Sequence, residues 1–310
     1  MTIFTKKNLK NEHTELIIKY ILIFTVSISI LTTIAILFSI IFEAIKFFEL
    51  KSFIYFITGS EWSPGTVDSK FGSVSIFVGT LIITTIALMI AIPIGIFTAI
   101  YISEYATSSV KNVVKPFLEI LAGIPTVVYG FFAAVTVAPV IVSFGNFIGV
   151  NTSFNSALAA GIVMGIMIIP IISSLSEDAI NSVSDNLRRG SLALGMTKGE
   201  TIKDIVLPSA MPGIIAASLL GMSKALGETM IVVMAAGMNA NKFSINPFQD
   251  MTTVTVQIVT SLTGDFEFDS PDTLSAFALG LILFIVTLIL NIISVIYIRK
   301  FKEKYKMSNM

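Results

Sequence analysis

The stretch SLALGMTKGETIKDIVLP, residues 191–208, carries a stop signal for one helix and a start signal for another. Gly195 can adopt the left-handed conformation that ends a helix. Thr197, with Glu200 three residues later, fits the capping box that begins one, and we expect Pro208 to end that second helix. The stretch therefore predicts two short helices hinged at Gly195.

The residues before this hinge predict the first helix. Ser176 can cap its start, and Glu177 and Asp178 then place negative charge in its first turn, where the helix dipole favours it. Apolar or small side chains follow at three- and four-residue spacing: Ile180, Val183, Leu187, Ser191 and Leu194. Segment 176–210 is thus amphipathic, and its apolar face needs a cover: the membrane surface, the chain's own helix ends or a partner protein.

The composition on both sides of this segment indicates a membrane protein. Of the 310 residues, 54% are hydrophobic and only 13% are charged, whereas soluble domains carry about 25% charged residues. Crossing a bilayer takes about 20 residues of helix, and six apolar segments are long enough: 17–42, 74–102, 117–143, 155–175, 211–238 and 275–298. The predicted fold is an all-α polytopic membrane protein, a bundle of six transmembrane helices in one domain over residues 1–310.

Basic residues are concentrated on one side of this bundle. Fifteen of the 20 lie in the N-terminal tail, in segments 103–116 and 176–210, and in the C-terminal tail. Because loops rich in Lys and Arg face the cytoplasm, we predict a multi-pass protein with both termini inside. Cysteine is absent and histidine occurs once, so we predict neither a disulfide nor a metal site.

Two charged residues interrupt the fifth apolar segment. Lys224 and Glu228 are four residues apart, so on a continuous helix they share one face. A rise of 1.5 Å per residue places Lys224 about 20 Å along the span, close to the bilayer centre. Ionisable residues at that depth are costly and commonly mark transport pathways. A structural pair that fixes helix packing is the alternative, although buried ion pairs seldom add net stability.

Gly195, nine further residues and then Ile205-x-Leu207-Pro208 resemble the EAA loop of ABC importer permeases, E-A-A-x-x-x-G-x9-I-x-L-P. Arg189-Gly190-Ser191 stand where that family has E-A-A. The resemblance implies that the loop sits in a groove of a separate ATP-hydrolysing subunit. The residues that it implies in this coupling are Arg188, Arg189, Gly190, Ser191, Gly195, Thr197, Glu200, Ile205, Leu207 and Pro208.

The chain itself is not expected to bind ATP. Residues 190–197 echo the phosphate-binding loop G-x-x-x-x-G-K-[ST], but Met196 replaces its lysine. ATP with Mg²⁺ is therefore expected only in the partner subunit, and this chain is expected to be a transport subunit and not an enzyme.

Three further segments resemble the PstC-type permeases of phosphate-specific ABC importers: GSEWSPG at 59–65, PFLEILAGIPTVVYGFF at 116–132 and KALGETM at 224–230. The resemblance implies import of inorganic phosphate across the cell (inner) membrane of a bacterium or archaeon. It also implies a PstA-like second permease, two copies of a PstB-like ATPase and an extracytoplasmic PstS-like phosphate-binding protein. Trp62 would then lie on the outer loop where the binding protein docks.

The same resemblance implies a translocation pathway at Lys224, Glu228, Thr229, Glu119 and Pro125. The family usually has arginine at the position of Lys224, and lysine lacks the planar fork that binds two phosphate oxygens. Our hypothesis is a gate in which Lys224 attracts the anion and Glu228 neutralises Lys224 at rest. For Glu119 and Pro125 simpler roles stay open: contact with lipid headgroups and a helix kink.

Other functions fit parts of the same sequence. An ion-coupled secondary transporter or channel would use Lys224 and Glu228 as its charge site but would leave the Gly195–Pro208 loop without a role. A PstA-type sister subunit would share the GIPTVVYG motif, and a permease for a related oxyanion would share the same chemistry. A membrane enzyme or a purely structural subunit is disfavoured, because the apolar segments carry no His/Asp/Glu cluster.

Overall fold

The computed structural model describes residues 4–240, 243–264 and 267–307. The α-helices in these ranges are α1 (Phe4–Leu50), α2 (Phe53–Thr58), α3 (Val74–Ile100), α4 (Ser108–Gly123), α5 (Thr126–Phe132), α6 (Ala138–Phe147), α7 (Ala157–Asn181), α8 (Asp185–Ala193), α9 (Lys198–Glu200), α10 (Leu207–Leu226), α11 (Met230–Ala235), α12 (Val254–Thr263) and α13 (Pro271–Met307). π-Helical segments extend α3 and join α5 to α6 and α9 to α10: Tyr101–Tyr105, Ala133–Val137 and Thr201–Val206. Strands β1 (Trp62–Ser63) and β2 (Lys70–Phe71) form an antiparallel hairpin.

Six helical stretches in the described ranges are long and apolar enough to cross a membrane, which confirms the predicted number of spans. The first to sixth spans are Thr14–Leu50, Val74–Tyr105, Thr126–Phe147, Ala157–Asn181, Lys198–Leu226 and Pro271–Lys300. The first, second, fourth and sixth begin within four residues of their predicted starts. The third and fifth differ, and both differences concern candidate site residues.

The third span begins later than predicted, because the chain breaks between α4 and α5. Ile124 (ψ 128°) and Pro125 (ψ 140°) are extended between these two helices. Proline disfavours helical geometry in the residue before it, so Ile124 leaves the helix. The predicted segment 117–143 therefore merges the end of an amphipathic helix with a span, and Glu119 lies on that helix, α4, outside the third span.

The fifth span both starts and ends earlier than predicted. It runs from Lys198 to Leu226 through Pro208, so the expectation that Pro208 ends a helix is wrong. Pro208 follows the π-helical segment Thr201–Val206 and lies in the first turn of α10, where proline is tolerated. The remainder of the predicted segment, up to residue 238, contains a separate short helix, α11.

The first helix of the predicted loop also starts later. Ser176 is fully buried inside α7 and therefore caps nothing. The fourth span continues past it to Asn181, and Glu177 inside this helix pairs with Lys115 of α4 at 2.8 Å. α8 begins only at Asp185, where Ser184 accepts the N–H of Asn186 at 3.3 Å.

The fourth span lies at the centre of the bundle and packs against the second and fifth spans. Small residues allow the close approach: a Cβ at Gly165 would come within 2.9 Å of the Ala87 carbonyl oxygen. The first span lies at the edge and packs chiefly on α13. In the most apolar stretch of 18 residues within this span, no residue is buried. The fourth span therefore fixes the positions of the helices that carry the candidate site.

Candidate functional site

The fifth span ends two residues after Lys224, inside the predicted pair of charges. The prediction that Lys224 lies near the middle of this span is therefore wrong, because the span starts and ends earlier than the apolar segment suggested. Lys224 lies in the last turn of α10, Gly227 caps that helix, and Glu228 precedes α11, which begins at Met230. The prediction that Lys224 and Glu228 share one helix face is therefore wrong. The two side chains also form no ion pair with each other.

Glu228 binds the backbone instead of the lysine. Its Oε1 accepts the N–H groups of Met230 and Ile231 at 3.1 and 3.3 Å, and the residue is only 8% exposed. These N–H groups open α11 and have no acceptor within that helix, so the carboxylate stabilises the helix start. The gate hypothesis, in which Glu228 neutralises Lys224, does not describe this structure.

The third span and α12 hold this break in place. The backbone oxygen of Glu228 accepts the Thr255 hydroxyl from α12 at 2.8 Å. α5 packs on α11, where a Cβ at Gly130 would lie 2.9 Å from Met234 Sδ and 3.0 Å from the Met230 oxygen. The glycine therefore permits this close contact, which makes the GIPTVVYG and GETM segments neighbours in the fold.

Lys224 is half-buried and makes no ion pair or hydrogen bond with any residue whose side chain the structure describes. An ammonium group carries three donors and no acceptor, so its donors are available to an anion. Thr229, also half-buried, comes directly before α11. The break thus brings Lys224, Glu228 and Thr229 together, with Lys224 as the group that can bind an anion and Glu228 committed to the backbone.

Glu119 and Pro125 lie at the other break, between α4 and the third span. Glu119 is exposed and lines a cavity of about 470 Å³ between α4 and α7, together with Lys115, Glu177 and Asp178. Lys224 and Glu228 do not line this cavity. A place for Glu119 and Pro125 in a pathway stays a prediction.

The predicted hinge at Gly195 is confirmed by its φ of +87°, in the left-handed region that favours glycine. The predicted capping box follows it: Glu200 Oε2 accepts the Thr197 N–H at 2.7 Å, and Thr197 Oγ1 accepts the Glu200 N–H at 3.3 Å. Across the hinge, Ser191 Oγ donates to Thr201 Oγ1 at 2.9 Å. This bond joins α8 to the π-helical segment that continues α9.

The coupling loop, defined here as residues 182–206, presents apolar side chains to solvent near this hinge. Leu192 is 50% exposed and Leu194 is 86% exposed, whereas Ile202 and Val206 are buried. The other predicted coupling residues are exposed (Arg189, Gly190) or half-buried (Ile205, Leu207, Pro208). The hinge therefore offers an apolar surface that a partner protein could cover.

Arg188 makes a contact that the sequence did not predict. Its Nε and Nη2 donate to Glu104 Oε1 at 3.3 and 3.1 Å, and Nη2 and Nη1 donate to the carbonyl oxygens of Ile180 and Val183 at 2.7 and 2.5 Å. Glu104 lies 84 residues before Arg188 at the end of the second span. The only sequence signal for this ion pair was an acidic residue, Glu104, directly after the second apolar segment.

The loop between the first and second spans is organised around Trp62, which is only 1% exposed. The rings of Phe56 and Phe71 pack edge-on against it at centroid distances of 6.2 and 5.8 Å, and its Nε1 donates to Gln257 Oε1 at 3.1 Å. Contrary to the prediction, Trp62 is therefore not itself a docking surface. It anchors the loop, whose exposed part is the hairpin tip around Val67.

Sequence comparison places the chain among transport proteins. The model of one protein family, the binding-protein-dependent transport system inner membrane component, matches residues 91–303. The probable ABC transporter permease YqgH of Bacillus subtilis (strain 168) is 35% identical over 82% of this chain and 79% of its own length. The phosphate transport system permease PstC of Mesorhizobium japonicum is 34% identical over 76% of this chain and 75% of its own length. PstC 1 of Mycobacterium tuberculosis is 32% identical, with coverages of 77% and 80%.

Solved structures of ABC transporters have a similar fold. The transmembrane architecture is similar to that of a bacterial alginate ABC transporter, with a TM-score of 0.57 at 15% identity, covering 82% of this chain and 85% of that chain. The inward-facing MetNI methionine ABC transporter gives a TM-score of 0.53 at 16% identity, covering 74% and 94%. At these identities the likeness concerns the fold alone.

Proposed function

Since the chain belongs to the family of binding-protein-dependent transport system inner membrane components and has a type I ABC importer permease fold, we propose that it imports inorganic phosphate into the cytoplasm. The chain is a multi-pass membrane transport subunit and not an enzyme. Its family implies an ATPase, a second permease and a substrate-binding protein as partners. The phosphate assignment is supported by the relatives that are phosphate permeases of the PstC type.

One observation carries the proposal within the bilayer: Lys224 has no anionic partner among the described residues, at the break in the fifth span. A cation without an anionic partner in a membrane-spanning helix is costly, and a passing anion would offset that cost. Phosphate would bind Lys224 as a point charge, because the ammonium group lacks the fork of a guanidinium. Glu228, bound to the start of α11, would keep the break in shape.

The test is ATP-dependent phosphate uptake by proteoliposomes that contain the chain with its ATPase, PstA-like permease and PstS-like binding protein. Lys224→Gln should lower uptake to the level without ATP, and Lys224→Arg should retain it because the charge stays. Competition by sulfate and molybdate distinguishes phosphate from related oxyanions. Normal uptake by an assembled Lys224→Gln complex would refute the pathway, and uptake on an ion gradient without the ATPase would refute the ATP-driven importer.

We also propose that the coupling loop docks on a PstB-like ATPase, which holds ATP and Mg²⁺, through the exposed leucines at its hinge. Leu194→Glu should abolish co-purification of the ATPase, as should deletion of residues 186–207, because a charge replaces an apolar contact. The matched control is Val67→Glu, an exposed apolar position in the outer hairpin, which should leave the ATPase bound. Retention of the ATPase by Leu194→Glu would contradict this docking mode.

The outer hairpin is the proposed docking surface for the PstS-like binding protein. The Gly65 N–H donates to Asp272 Oδ1 at 2.8 Å, and Lys70 pairs with Glu61 at 2.5 Å, so the tip is held at both sides. Val67→Glu should reduce stimulation of ATP hydrolysis by the loaded binding protein. Unchanged stimulation would exclude the tip as the contact.

Both termini and the coupling loop are proposed to be cytoplasmic. The chain has no cysteine of its own, so single cysteines can be labelled without background. A cysteine at Val67 should react with a membrane-impermeant maleimide in intact cells, and one at Leu194 only after permeabilisation. The opposite pattern would invert the topology.

A further inference from the structure

Arg188 fastens the coupling loop to two spans at once. Its guanidinium binds the Glu104 carboxylate at the end of the second span and two carbonyl oxygens, of Ile180 and Val183, at the end of the fourth. The Ile180 carbonyl lies in the last turn of the fourth span and also accepts the Val183 N–H at 3.2 Å, whereas the Val183 carbonyl lies just after this span. The ion pair is mostly buried, with 18% of the Arg188 side chain and 12% of the Glu104 side chain exposed.

A second cation from the other side of the hinge reaches the same place. Lys198 Nζ donates to the backbone oxygen of Glu104 and lies 4.6 Å from the ring centre of Tyr105, within cation–π range. Both helical segments of the coupling loop, α8 and α9, are therefore attached to the end of the second span.

The polar contacts continue from the second span to α4. Ser103 Oγ donates to Asn181 Oδ1 at 2.6 Å, and Asn181 Nδ2 donates to Glu177 Oε1 at 3.2 Å. Glu177, whose side chain is 6% exposed, pairs at 2.8 Å with Lys115 of α4. A second contact closes the set, since Lys111 Nζ donates to the Ser103 backbone oxygen at 3.2 Å.

Burial separates these contacts from ordinary surface ion pairs, which contribute little because water screens them. The two carboxylates, Glu104 and Glu177, are mostly buried and each has one cation beside it; Arg188 is also mostly buried, whereas 46% of the Lys115 side chain is exposed. Removal of one partner from such a pair leaves an uncompensated charge. The contacts therefore hold their segments together more tightly than exposed pairs would.

We propose that Arg188, Glu104 and Glu177 are positioning residues that make the coupling loop, the cytoplasmic ends of the second and fourth spans and α4 move as one body. The chain leaves α4 at Pro125 and enters α5, which packs on α11, the helix that Glu228 caps. Displacement of the coupling loop is therefore delivered, through α4 and the third span, to the break beside Lys224. The inference rests on the proposed function in one respect: it takes the partner ATPase as the protein that displaces the coupling loop.

The first experiment measures coupling as phosphate imported per ATP hydrolysed, in the reconstituted complex. Substitutions along such a contact set change coupling by about two- to 30-fold, and we expect Glu104→Gln and Arg188→Gln to lower the ratio within that range while ATP hydrolysis continues. Arg188→Lys should recover part of the loss because it keeps the charge. The control is Asp204→Asn, an exposed carboxylate of the same loop. A residue that only stabilised the fold would lower uptake and hydrolysis together, and that result would overturn the proposal.

The second experiment needs no transported substrate. Spin labels on Val113→Cys in α4 and Lys203→Cys in the coupling loop, both exposed positions, report the distance between the two segments. In the assembled complex this distance should be the same with and without ATP, and Glu104→Gln should make it differ between the two states. A distance that changes with ATP in the otherwise unaltered chain would overturn the one-body proposal. Failure of the proposed function would show separately, as absent phosphate uptake with the distance result intact.

Discussion

Replacing Glu228 by leucine distinguishes the observed structure from the ion pair that the sequence suggested. The substitution removes the acceptor of two N–H groups, those of Met230 and Ile231. Ile231 is fully buried, and Met230 is 40% exposed. A buried donor without a partner costs about 1–3 kcal/mol, so the free energy of unfolding should fall by about 2–4 kcal/mol. Lys224→Leu removes no described partner and relieves the cost of a cation in the span, so it should leave the free energy of unfolding unchanged or raise it.

The double variant Lys224→Leu/Glu228→Leu completes a thermodynamic cycle. Because the side chains do not pair, the two effects should add within about 0.5 kcal/mol, whereas close charge pairs couple by about 1.5 kcal/mol or more. Thermal unfolding in detergent, followed by fluorescence of the single tryptophan, Trp62, measures all four proteins. Glu228→Gln is the control, since its amide oxygen still accepts an N–H. A coupling above about 1.5 kcal/mol would refute the assignment of Glu228 to the backbone.

Three further predictions follow from contacts described above. Gln257→Leu leaves the Trp62 indole N–H without its acceptor and should lower stability by about 1–3 kcal/mol with a shifted tryptophan emission; unchanged emission and melting would contradict the anchoring role. Gly130→Ala should destabilise by about 1–3 kcal/mol through overpacking against α11 and reduce phosphate uptake, and normal uptake with normal melting would refute the tight contact. The hydrogen bond with Glu177 raises the pKa of Lys115 above its ordinary value of 10.5. The contribution of this contact to the free energy of unfolding is therefore complete below pH 10.5 and is lost only as the pH rises through the raised pKa. The difference in melting temperature between wild type and Lys115→Met should therefore be constant from about pH 6 to 9, and a change within that window would point to another group.

Local signals predicted much of the membrane fold. Composition was sufficient for the number of spans, because crossing a bilayer takes an apolar run of about 20 residues, and six helical stretches in the described ranges are long and apolar enough. The Gly195 hinge and the Thr197–Glu200 box were also predictable, because their bonds join residues only three apart. The break before Thr126 had a signal as well, the sequence Gly123-Ile124-Pro125, which was interpreted as a kink within one helix.

The break at Glu228 had no comparable signal. The residues after it, Met230 to Ala235, are as apolar as those before, so hydropathy continues across the interruption. α10 ends at Leu226 with Gly227 as its cap, and the Glu228 carboxylate then bonds to backbone groups two and three residues ahead, a local bond that competes with continuation of the helix. The Arg188–Glu104 pair and the burial of Trp62 depend on contacts across 84 and 195 residues, which no local pattern encodes.

The peripheral position of the first span has a consequence for biogenesis. Phe47, near its end, packs in one cluster with Leu274 and Leu279 of the sixth span, the last to leave the ribosome. At about 5–20 residues per second, roughly 220 residues of synthesis separate the two elements by about 10–40 s. During that time lipid or an insertase covers the face of the first helix that later packs on the sixth span, while Phe47 can already contact Phe56 and Phe71. A chain truncated before α13 would keep it in that state, exposed to membrane quality control.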